Sequence, residues 1–452
     1  MFFCDFFKII NIEKSIILKL VSIMKEQSIW SEVTLKSFPS LESDVETHVL
    51  IVGGGIAGLL TAYQLQENNI PYILVEQDKI GNGISKNTTS FLTISHDYLY
   101  QDMIKDLGIL KASVYLNLNA KAIEEYKKLS FKYDFDFYEC SNILYSNYST
   151  SIIKKEIEAL NTLLVDTKVI NKIPFDFNIK MGCKINNQAI IHPLKFIDCI
   201  SRDLNIYENT RIENVKENTA FTKHHKITFN KIIFATNFPC INKFGFYFTK
   251  LTQRRSYVVA LKNNKKINDM YTCLDNNGLY IRKYKDYLIV GGYDRDTKKR
   301  CLVDFVNLVK DKFPNMEIAY SWSNQDCVSL DKIPYIGRLD HRHKDYYVIT
   351  GFNLYGFTWA MSGSLLLLDM LKGNEANSLV NPLRKIKMKP LFVNIFNYLK
   401  NLVSFKKPRC SHMGSALIYN EVDHVYECPC HGSRFLKNGK VINGPAKKNI
   451  KK

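Results

Sequence analysis

The stretch that decides the fold is "THVLIVGGGIAGLLTAYQLQENNIPYILVEQD", residues Thr47 to Asp78. Its run Val49–Val52 is continuously apolar, as a strand buried in a parallel sheet requires, and it passes directly into a Gly-x-Gly-x-x-Gly loop. A helical pattern follows and ends near Asn68, and a second strand, Tyr72–Val75, ends at Glu76. This order of strand, loop, helix, strand and acid predicts a dinucleotide-binding βαβ unit.

Each glycine of the loop has a separate physical purpose. Gly53 makes the tight turn, Gly55 lets the backbone approach a pyrophosphate, and Gly58 lets the helix pack on the strand. Glu76 is placed to accept hydrogen bonds from a ribose. Because an acid there disfavours a 2′-phosphate, the motif favours FAD or NAD over NADP.

The other informative stretch lies near the end of the chain. In "CSHMGSALIYNEVDHVYECPCHGSRF", Cys410 to Phe435, two loops each supply one cysteine and one histidine: Cys410 with His412, and Cys428 with His431. Two Cys and two His could hold zinc, which is the general interpretation. One Cys and one His from each loop instead favours an asymmetric [2Fe–2S] cluster of the Rieske type, with two thiolates on one iron and two imidazoles on the other. Zinc or a vestigial site remains the alternative.

Composition limits the function classes. The 452 residues are 46% hydrophobic with no apolar run long enough to span a bilayer, so we expect a soluble protein. Eleven thinly spread cysteines suit a reducing compartment, which predicts a cytoplasmic location. Residues 372–452 carry 16 Lys and Arg against 4 Asp and Glu, most of the net charge of +18. This excess is typical of a solvated tail, or of a surface for an acidic redox partner or an anionic membrane. No nucleic-acid-binding motif accompanies it.

Several further stretches resemble the D-amino-acid-oxidase-like (DAO) family of FAD-dependent oxidoreductases. They are "IGNGISKNTTSFLTISHD", "NKIIFATNFP", "DKIPYIGRLD" and "YYVITGFNLYGFTWAMSGSLLLLDMLKG". Together with "CPCHGSRF" they are similar to an architecture in which such an oxidoreductase precedes a Rieske segment. The resemblance implies FAD and a [2Fe–2S] cluster as cofactors. It also implies an α/β (α+β overall) fold: a Rossmann-like FAD-binding domain, an antiparallel-sheet substrate domain and a small β Rieske-type segment.

The resemblance also assigns candidate residues. The cofactor-binding candidates are Gly53, Gly55, Gly58, Glu76, Thr88, Thr89, Val215, Gly351, Asn353 and Gly356. The cluster ligands are Cys410, His412, Cys428 and His431.

No residue of the sequence identifies itself as catalytic. Arg282 stands roughly where relatives place a carboxylate-binding arginine, although a surface arginine explains it equally well. His192 and Tyr257 are further candidates, and a His-Pro pair at a helix start is often structural. Tyr293, Trp322 and Gln325 are weaker ones.

The predicted domain organisation follows the motifs. Residues 1–46 form an N-terminal extension and residues 47–385 the oxidoreductase. Its FAD-binding parts are about 47–100, 186–245 and 330–375, with a helical insert at 101–185 and a substrate domain at 246–329. A linker helix at 386–408 precedes a shortened Rieske domain at 409–452.

The cluster segment departs from the resembled pattern in three ways. The strands that normally precede the first ligand loop are missing, so the segment must pack on the flavin domain to bury a core. Ser415 stands where relatives have a cysteine that pairs with the one at Cys430, which leaves Cys430 as a free thiol. Phe435 replaces a tyrosine that donates to a ligand sulfur, while Ser433 is retained, which predicts a low to middle reduction potential.

The predicted activity is oxidation of a small amine or amino-acid-like molecule by hydride transfer to FAD. The electrons then pass singly through the cluster to an external acceptor, for which the basic C-terminal region favours an acidic electron-transfer protein. Two alternatives remain: a flavin oxidase that uses O₂ and has a structural metal tail, and a redox sensor without catalysis.

Overall fold

The computed structural model of the protein describes residues 27–240, 244–263, 265–296, 302–386, 388–403, 407–420 and 424–450. The start of the predicted N-terminal extension, residues 1–26, lies outside this range. In the described part of the chain, no helix is both long enough and apolar enough to cross a membrane.

The elements are numbered here in chain order. The strands are β1 Val45–Val52, β2 Tyr72–Val75, β3 Phe91–Leu92, β4 Tyr138–Ser146, β5 Thr167–Ile170, β6 Met181–Ile190, β7 Ile206–Tyr207, β8 Asn214–Lys216, β9 Thr219–Phe221, β10 Lys226–Phe234, β11 Leu251–Lys262, β12 Met270–Cys273, β13 Leu279–Tyr284, β14 Tyr287–Asp296, β15 Ile318–Ser329, β16 Tyr335–Arg338, β17 Tyr346–Thr350, β18 Ile418–Asn420, β19 Val425–Glu427, β20 Arg434–Leu436 and β21 Val441–Asn443. The α-helices are α1 Ile56–Glu67, α2 Tyr100–Leu107, α3 Ile109–Ser130, α4 Thr150–Thr162, α5 Pro193–Ser201, α6 Tyr247–Lys250, α7 Leu302–Lys312, α8 Gly356–Leu371 and α9 Met388–Leu402. Two short 3₁₀ helices are Ile29–Glu32 and Ile84–Asn87.

The first sheet is built around parallel strands in the order β16-β17-β10-β1-β2-β7. Strand β1 pairs in parallel with β10 on one side and with β2 on the other, and α1 packs against α8. The last four residues of β1 and all four of β2 are buried, as the continuous apolar runs predicted. The carboxyl ends of these parallel strands meet at one edge, where ligands bind in open α/β sheets.

The second sheet has the order β15-β11-β14-β13-β12-β4-β6-β3, with β5 beside β6. Strands β4, β5 and β6 begin within residues 101–185, so the predicted helical insert contains strands as well as α2, α3 and α4. Strand β4 joins the substrate-domain strands by pairing in parallel with β12. The helical prediction failed here because the last six residues of β4 are buried without interruption, so the strand lacks the alternating pattern that would have marked it.

Residues 27–44 are part of the folded body rather than a loose extension. Trp30 is fully buried, its indole N–H donates to the carbonyl of Thr88 at 2.8 Å, and its ring lies edge-on to that of His192. The described part of the predicted extension therefore covers one side of the flavin domain.

The third sheet, β18-β19-β20-β21, forms the small C-terminal unit. Among the described residues no strand lies between β17 and β18; only the helices α8 and α9 do. The core of this unit is small, consisting of Cys410, Leu417, Cys428, Phe435, Ala446 and Ile450. A core with so few apolar side chains rarely stabilises a domain on its own. The C-terminal unit must therefore pack on the larger domain.

Candidate active site and cluster site

A cavity of about 1110 Å³ opens at the carboxyl ends of the parallel strands. Gly53, Gly55 and Glu76 line one part of it, and Gly351 and Gly356 line another. The cavity lies where the βαβ motif predicted a dinucleotide, and its volume is at the upper end of ordinary ligand sites.

The glycine-rich loop requires glycine for two different reasons. At Gly53, φ is +115°, and a Cβ would lie 3.1 Å from the backbone of Ala235. At Gly58 a Cβ would lie 1.9 Å from the carbonyl oxygen of Gly53, so any side chain would force α1 away from β1. Gly55 is the N-cap of α1, which aims the helix N-terminus at the cavity. The loop fits the pyrophosphate of a dinucleotide.

Glu76 ends β2 and is held by two backbone amides. Its Oε2 accepts from the N–H of Gly54 at 2.7 Å, and its Oε1 accepts from the N–H of Asp78 at 3.0 Å. Burial raises the pKa of this carboxyl, which the two amide bonds oppose. The side chain is fixed at the cavity wall, as hydrogen bonding to a ribose requires.

The remaining cofactor candidates divide into two groups. Thr88 lines the cavity, whereas Thr89, Val215 and Asn353 do not. The Oδ1 of Asn353 accepts from the N–H of Ser329 at 2.9 Å, which secures the loop after β17 to the end of β15. Asn353 therefore supports the site from behind.

The predicted substrate arginine is a structural residue. Arg282 is 1% exposed, and its Nη1 donates to the carbonyls of Thr89, Ser90 and Ile191, each at 3.0 Å. Its guanidinium also stacks on Trp30. The prediction that Arg282 binds a substrate carboxylate is therefore corrected: its donors are used inside the protein.

The two other catalytic candidates also face away from the cavity. His192 caps α5 by accepting from the N–H of Lys195 at 3.1 Å, and burial lowers its pKa to about 4. Tyr257 is buried against Phe305 of α7. The geometry therefore supports a structural role for the His-Pro pair, at the start of α5.

Of the weaker substrate-site candidates, only one lies at the cavity. Gln325 lines the cavity. The indole N–H of Trp322 donates to the carbonyl of Asn87 at 2.9 Å, and Tyr293 packs on Phe305.

Sequence reasoning missed a charged group beside the cavity: Asp326 lines the cavity, whereas Arg254 and Asp97 line a small second pocket. Arg254 of β11 and Asp326 of β15 are direct cross-strand partners, so both side chains leave the same face of the sheet. Asp97 lies 3.8 Å from Arg254, and Asn324 donates to Asp326 at 2.8 Å. Burial and the nearby Asp97 raise the pKa of Asp326 to about 7. The polar stretches "QRRSY" and "NQD" could be recognised in the sequence. Which side chains of these strands would be covered by other parts of the protein could not.

The two ligand loops of the C-terminal unit have the same backbone structure. The first residue of each loop donates its N–H to the carbonyl five positions later, at 2.9 Å from Cys410 and 2.8 Å from Cys428. A glycine four positions after each cysteine donates back to it at 2.9 Å. These glycines, Gly414 and Gly432, have φ of 76° and 69°. The repeat places two equivalent ligand pairs face to face.

The four ligand side chains are paired by type. A hydrogen bond with Cys428 is the largest cause of the lowered pKa of Cys410, about 7, so the two sulfurs are in contact. The rings of His412 and His431 are 5.1 Å apart. Across the described residues, no three His, Cys, Asp or Glu side chains converge on a single metal ion. A two-iron cluster needs only two ligands on each iron, and this pairing by type fits it.

Both histidines are in the state that metal ligation needs. Burial lowers the pKa of His412 to about 3 and also lowers that of His431, so both imidazoles are neutral. The Nδ1 of His431 is buried and makes no hydrogen bond, whereas its Nε2 is 2.9 Å from the carbonyl oxygen of Phe248. A buried nitrogen left open in this way is where an iron ligand would be expected.

The C-terminal unit is fastened to the flavin domain by a buried ion pair. Nη1 of Arg255 is 2.5 Å from Oε1 of Glu427, and both side chains are at most 9% exposed. Gln325 accepts from Nη2 of Arg255 at 2.8 Å and donates to the carbonyl of Gly444 at 3.1 Å. Arg255 and Gln325 leave the opposite sheet face from Arg254 and so turn towards the cluster unit.

The docked unit completes the cavity wall. His412, Ser411 and residues 444–448 line it together with the flavin domain. The ring of Phe238, which follows β10, is 5.6 Å from the rings of both His412 and His431. The histidine side of the cluster site therefore faces the flavin domain.

Comparisons with known proteins match two parts of the chain to two families. The model of the FAD dependent oxidoreductase family DAO matches residues 48–370, and the model of the Rieske [2Fe-2S] domain matches residues 384–452. YhfW of Bacillus subtilis (strain 168), named as a Rieske 2Fe-2S iron-sulfur protein, is 28% identical over 94% of this chain and 97% of its own. The cytochrome b6-f complex iron-sulfur subunit of Synechococcus sp. (strain JA-3-3Ab) is 44% identical over 41 residues, 9% of this chain and 24% of its own.

Solved structures agree on the fold of the larger domain. L-proline dehydrogenase from P. horikoshii has a TM-score of 0.64 at 19% identity, covering 76% of this chain and 98% of its own. Glycine oxidase from Bacillus cereus ATCC 14579 has a TM-score of 0.63 at 15% identity, covering 75% of this chain and 99% of its own. The predicted fold class and both predicted cofactors, FAD and a [2Fe–2S] cluster, are confirmed. The chain belongs to the DAO family of FAD-dependent oxidoreductases and carries a C-terminal Rieske [2Fe–2S] domain.

Proposed function

We propose that the protein oxidises a small amine or amino acid at FAD and delivers the electrons singly, through the Rieske cluster, to an external acceptor. The observation that carries this proposal is one continuous cavity, which has the glycine-rich loop at one end and His412 in its wall. FAD supplies the conversion of a two-electron oxidation into one-electron steps.

The substrate end of the proposal rests on the charges of β11 and β15. Asp326 in the cavity wall offers a carboxylate to an ammonium group, and its cross-strand partner Arg254, at the small second pocket, offers a guanidinium fork to a carboxylate. Asp97, 3.8 Å from Arg254, adds a second negative charge for the amine. Opposite charges on facing strand residues suit a zwitterion, so we propose an α-amino acid. The similarity to proteins named for proline and glycine supports this class.

At the cofactors, the roles proposed for the chain's residues follow their positions. Gly53, Gly55 and the N-terminus of α1 hold the pyrophosphate, and Glu76 holds the ribose. Gly351 and Gly356 line the flavin end of the cavity. Cys410, Cys428, His412 and His431 ligate the cluster.

The direction of electron flow is supported by how the cluster unit is docked. With His412 in the cavity wall and His431 against Phe248, the imidazole side faces the flavin domain. Delivery within one chain then needs no diffusing carrier. Two exposed lysines that follow the second ligand loop in sequence, Lys437 and Lys440, favour an acidic electron-transfer protein as acceptor.

An anaerobic titration tests the proposal. Purified protein would be mixed with small amino acids and amines, glycine and proline first, while flavin absorbance and the electron paramagnetic resonance signal of the cluster are followed. We expect bleaching of the flavin together with a Rieske-type signal. Full turnover with O₂ in a variant that lacks the cluster would favour the oxidase alternative. Bound cofactors that no amino acid or amine reduces would favour the sensor.

A further inference from the structure

Helix α9, between the two domains, exposes its apolar side chains instead of burying them. Phe392, Phe396 and Leu399 follow the spacing i, i+4, i+7 and so share one helix face, and Val403 directly follows the end of the helix. Their exposed fractions are 62%, 67%, 51% and 65%, and neighbouring Val393 is 53% exposed. A surface helix of a soluble protein ordinarily shows the reverse pattern.

The inner face of the same helix is held by polar contacts. Asn394 donates to the carbonyl of Thr249 at 2.8 Å, and Tyr398 donates to the carbonyl of Met413 in the first ligand loop at 3.1 Å. Asn401 reaches the sulfur of Cys430 in the second ligand loop at 3.5 Å. These contacts set the rotation of the helix, so its apolar face points away from the protein.

The flavin domain exposes a further aromatic side chain close to α9. Helix α6 packs against α9, and Phe246, which precedes α6, is 62% exposed. The ring of Phe248 lies 6.1 Å from Phe246 on one side and 6.2 Å from Tyr398 of α9 on the other. Phe246 therefore exposes a further aromatic side chain near α9, and the ring contacts that join it to the helix run through Phe248 to Tyr398 on the inner face.

The charge around this surface is of one sign. From Arg384 to Asn420 the chain has eight Lys and Arg residues and no Asp or Glu. Lys389 and Lys400, within α9, are exposed, as is Lys407 just beyond it. A cationic border around an apolar helix face is the pattern of helices that lie in the interface of an anionic membrane.

We propose that the outward face of α9 docks the protein on an anionic lipid surface. Phe392, Phe396 and Leu399 would enter the acyl boundary while Lys389 and Lys400 extend to the headgroups. A lipid surface accepts a single convex helix face without shape complementarity, whereas a protein partner normally supplies about 800 Å² of matching surface. Because the ligand loops pack on the inner face, docking would bring the cluster domain next to the membrane.

Vesicle flotation of the full-length holoprotein tests this. The vesicles would be phosphatidylcholine alone, or phosphatidylcholine with phosphatidylglycerol. The test variant is Phe392→Gln/Phe396→Gln/Leu399→Gln, which keeps helix-forming residues. The matched control, Leu110→Gln/Phe131→Gln/Tyr148→Gln, removes three side chains that are 80%, 84% and 79% exposed elsewhere. A second variant, Lys389→Gln/Lys400→Gln, removes only charge.

We expect the wild type and the matched control to float with anionic vesicles only. The apolar variant should bind at least about tenfold less, because three large side chains no longer enter the lipid. The charge variant should lose about tenfold or more on anionic vesicles. Unchanged flavin absorbance and thermal midpoint would show that each variant folds.

Three results would overturn the proposal. These are a wild type that stays unbound, an apolar variant that floats like the control, and equal binding to neutral vesicles. A dimer in sedimentation that the apolar variant dissociates, without vesicle binding, would assign the face to a second copy. Capture of a soluble acidic redox protein that the apolar variant loses, again without vesicle binding, would assign it to that partner.

Discussion

The nucleotide end of the cavity and the cluster end are built by different kinds of force. Around Gly58 the limit is steric, because the backbone of Gly53 would lie 1.9 Å from an added Cβ. Around His431 the position depends on polar contacts between distant segments, above all the pair of Arg255 and Glu427. The first arrangement follows once the strand and helix form. The second exists only when the two domains meet.

This difference has a practical consequence. A change at the nucleotide end should disturb the core of the larger domain, whereas a change at the docking contacts should release the cluster domain and leave the flavin site formed. The two cofactors are thus held independently, although they share one cavity.

Loss of a proposed cluster ligand should produce the largest difference between the nucleotide end and the cluster end. In Cys428→Ser we expect the iron, the sulfide and the Rieske-type signal to disappear while bound FAD and its reduction by substrate remain. Metal analysis and the visible spectrum measure both. Cys199→Ser, a half-buried cysteine of α5, is the control and should keep the cluster. Loss of FAD together with iron would break the claim of independence.

The steric end of the cavity can be tested at Gly58. Gly58→Ala should destabilise the larger domain by about 3 kcal/mol and weaken FAD binding, because α1 must move away from β1. Thermal unfolding and FAD titration are the measurements. Gly356→Ala is the comparison, since its Cβ would lie 3.8 Å from Phe352, in ordinary contact. We expect the Gly356 variant to retain its thermal midpoint, and a matching loss there would contradict the steric argument.

Docking can be tested by removing one partner of the buried ion pair. Arg255→Gln should cost about 3 kcal/mol of docking free energy, because Glu427 stays buried with only Arg434, 3.0 Å away, as its ionic partner. Hydrogen exchange should quicken across residues 409–450 and not in β1 or β2.

An exposed pair provides the control for this experiment. Lys262 and Glu317 are 57% and 66% exposed, so Lys262→Gln should change stability by about 0–1 kcal/mol. Equal effects of the two variants would show that burial of the Arg255 pair is unimportant.

Asp326 should make both the stability of the protein and the reduction of its flavin depend on pH. Its pKa is raised to about 7 from 3.8, so between these values the folded protein keeps a proton that the unfolded chain has released, and stability falls as pH rises through this window. If the ionised carboxylate binds the substrate ammonium, flavin reduction should rise as pH increases through about 7.

The variant Asp326→Asn should remove the pH dependence of stability and that of flavin reduction. Thermal unfolding measures the first and stopped-flow absorbance the second. Asn324→Ala should leave an inflection, because the carboxyl remains. A pH profile that Asp326→Asn leaves unchanged would assign the titration to another group.

The smallest expected effect is on the potential of the cluster. With Phe435 in place of a hydroxyl donor, the midpoint should fall in the low to middle part of the Rieske range of about −150 to +300 mV. Phe435→Tyr should raise it and Ser433→Ala should lower it. A redox titration of the wild type near the top of that range would contradict this.

Much of the fold could be predicted from the sequence because its signals are local. The order of β1, the glycine loop, α1 and β2 occupies about thirty consecutive residues, and hydrophobic periodicity together with glycine spacing is sufficient to define it. The same holds for the ligand loops, where one Cys and one His two or three positions apart recur with a glycine. Both groups were therefore identified before any tertiary contact was known.

The substrate side could not be predicted because strand residues alternate between faces. Arg254, Arg255 and Arg282 all lie on strands of one sheet. Arg254 lies near Asp97 at a small pocket, Arg255 binds Glu427 at the wall of the large cavity, and Arg282 donates to backbone carbonyls. What covers each face depends on segments far away in the chain, such as Trp30 over Arg282. The sequence by itself determined the two cofactor motifs, since neighbouring residues define them. Only the tertiary structure decided which arginine meets the cavity, where the cluster domain docks and which face of α9 is exposed, because those outcomes depend on contacts between residues distant in sequence.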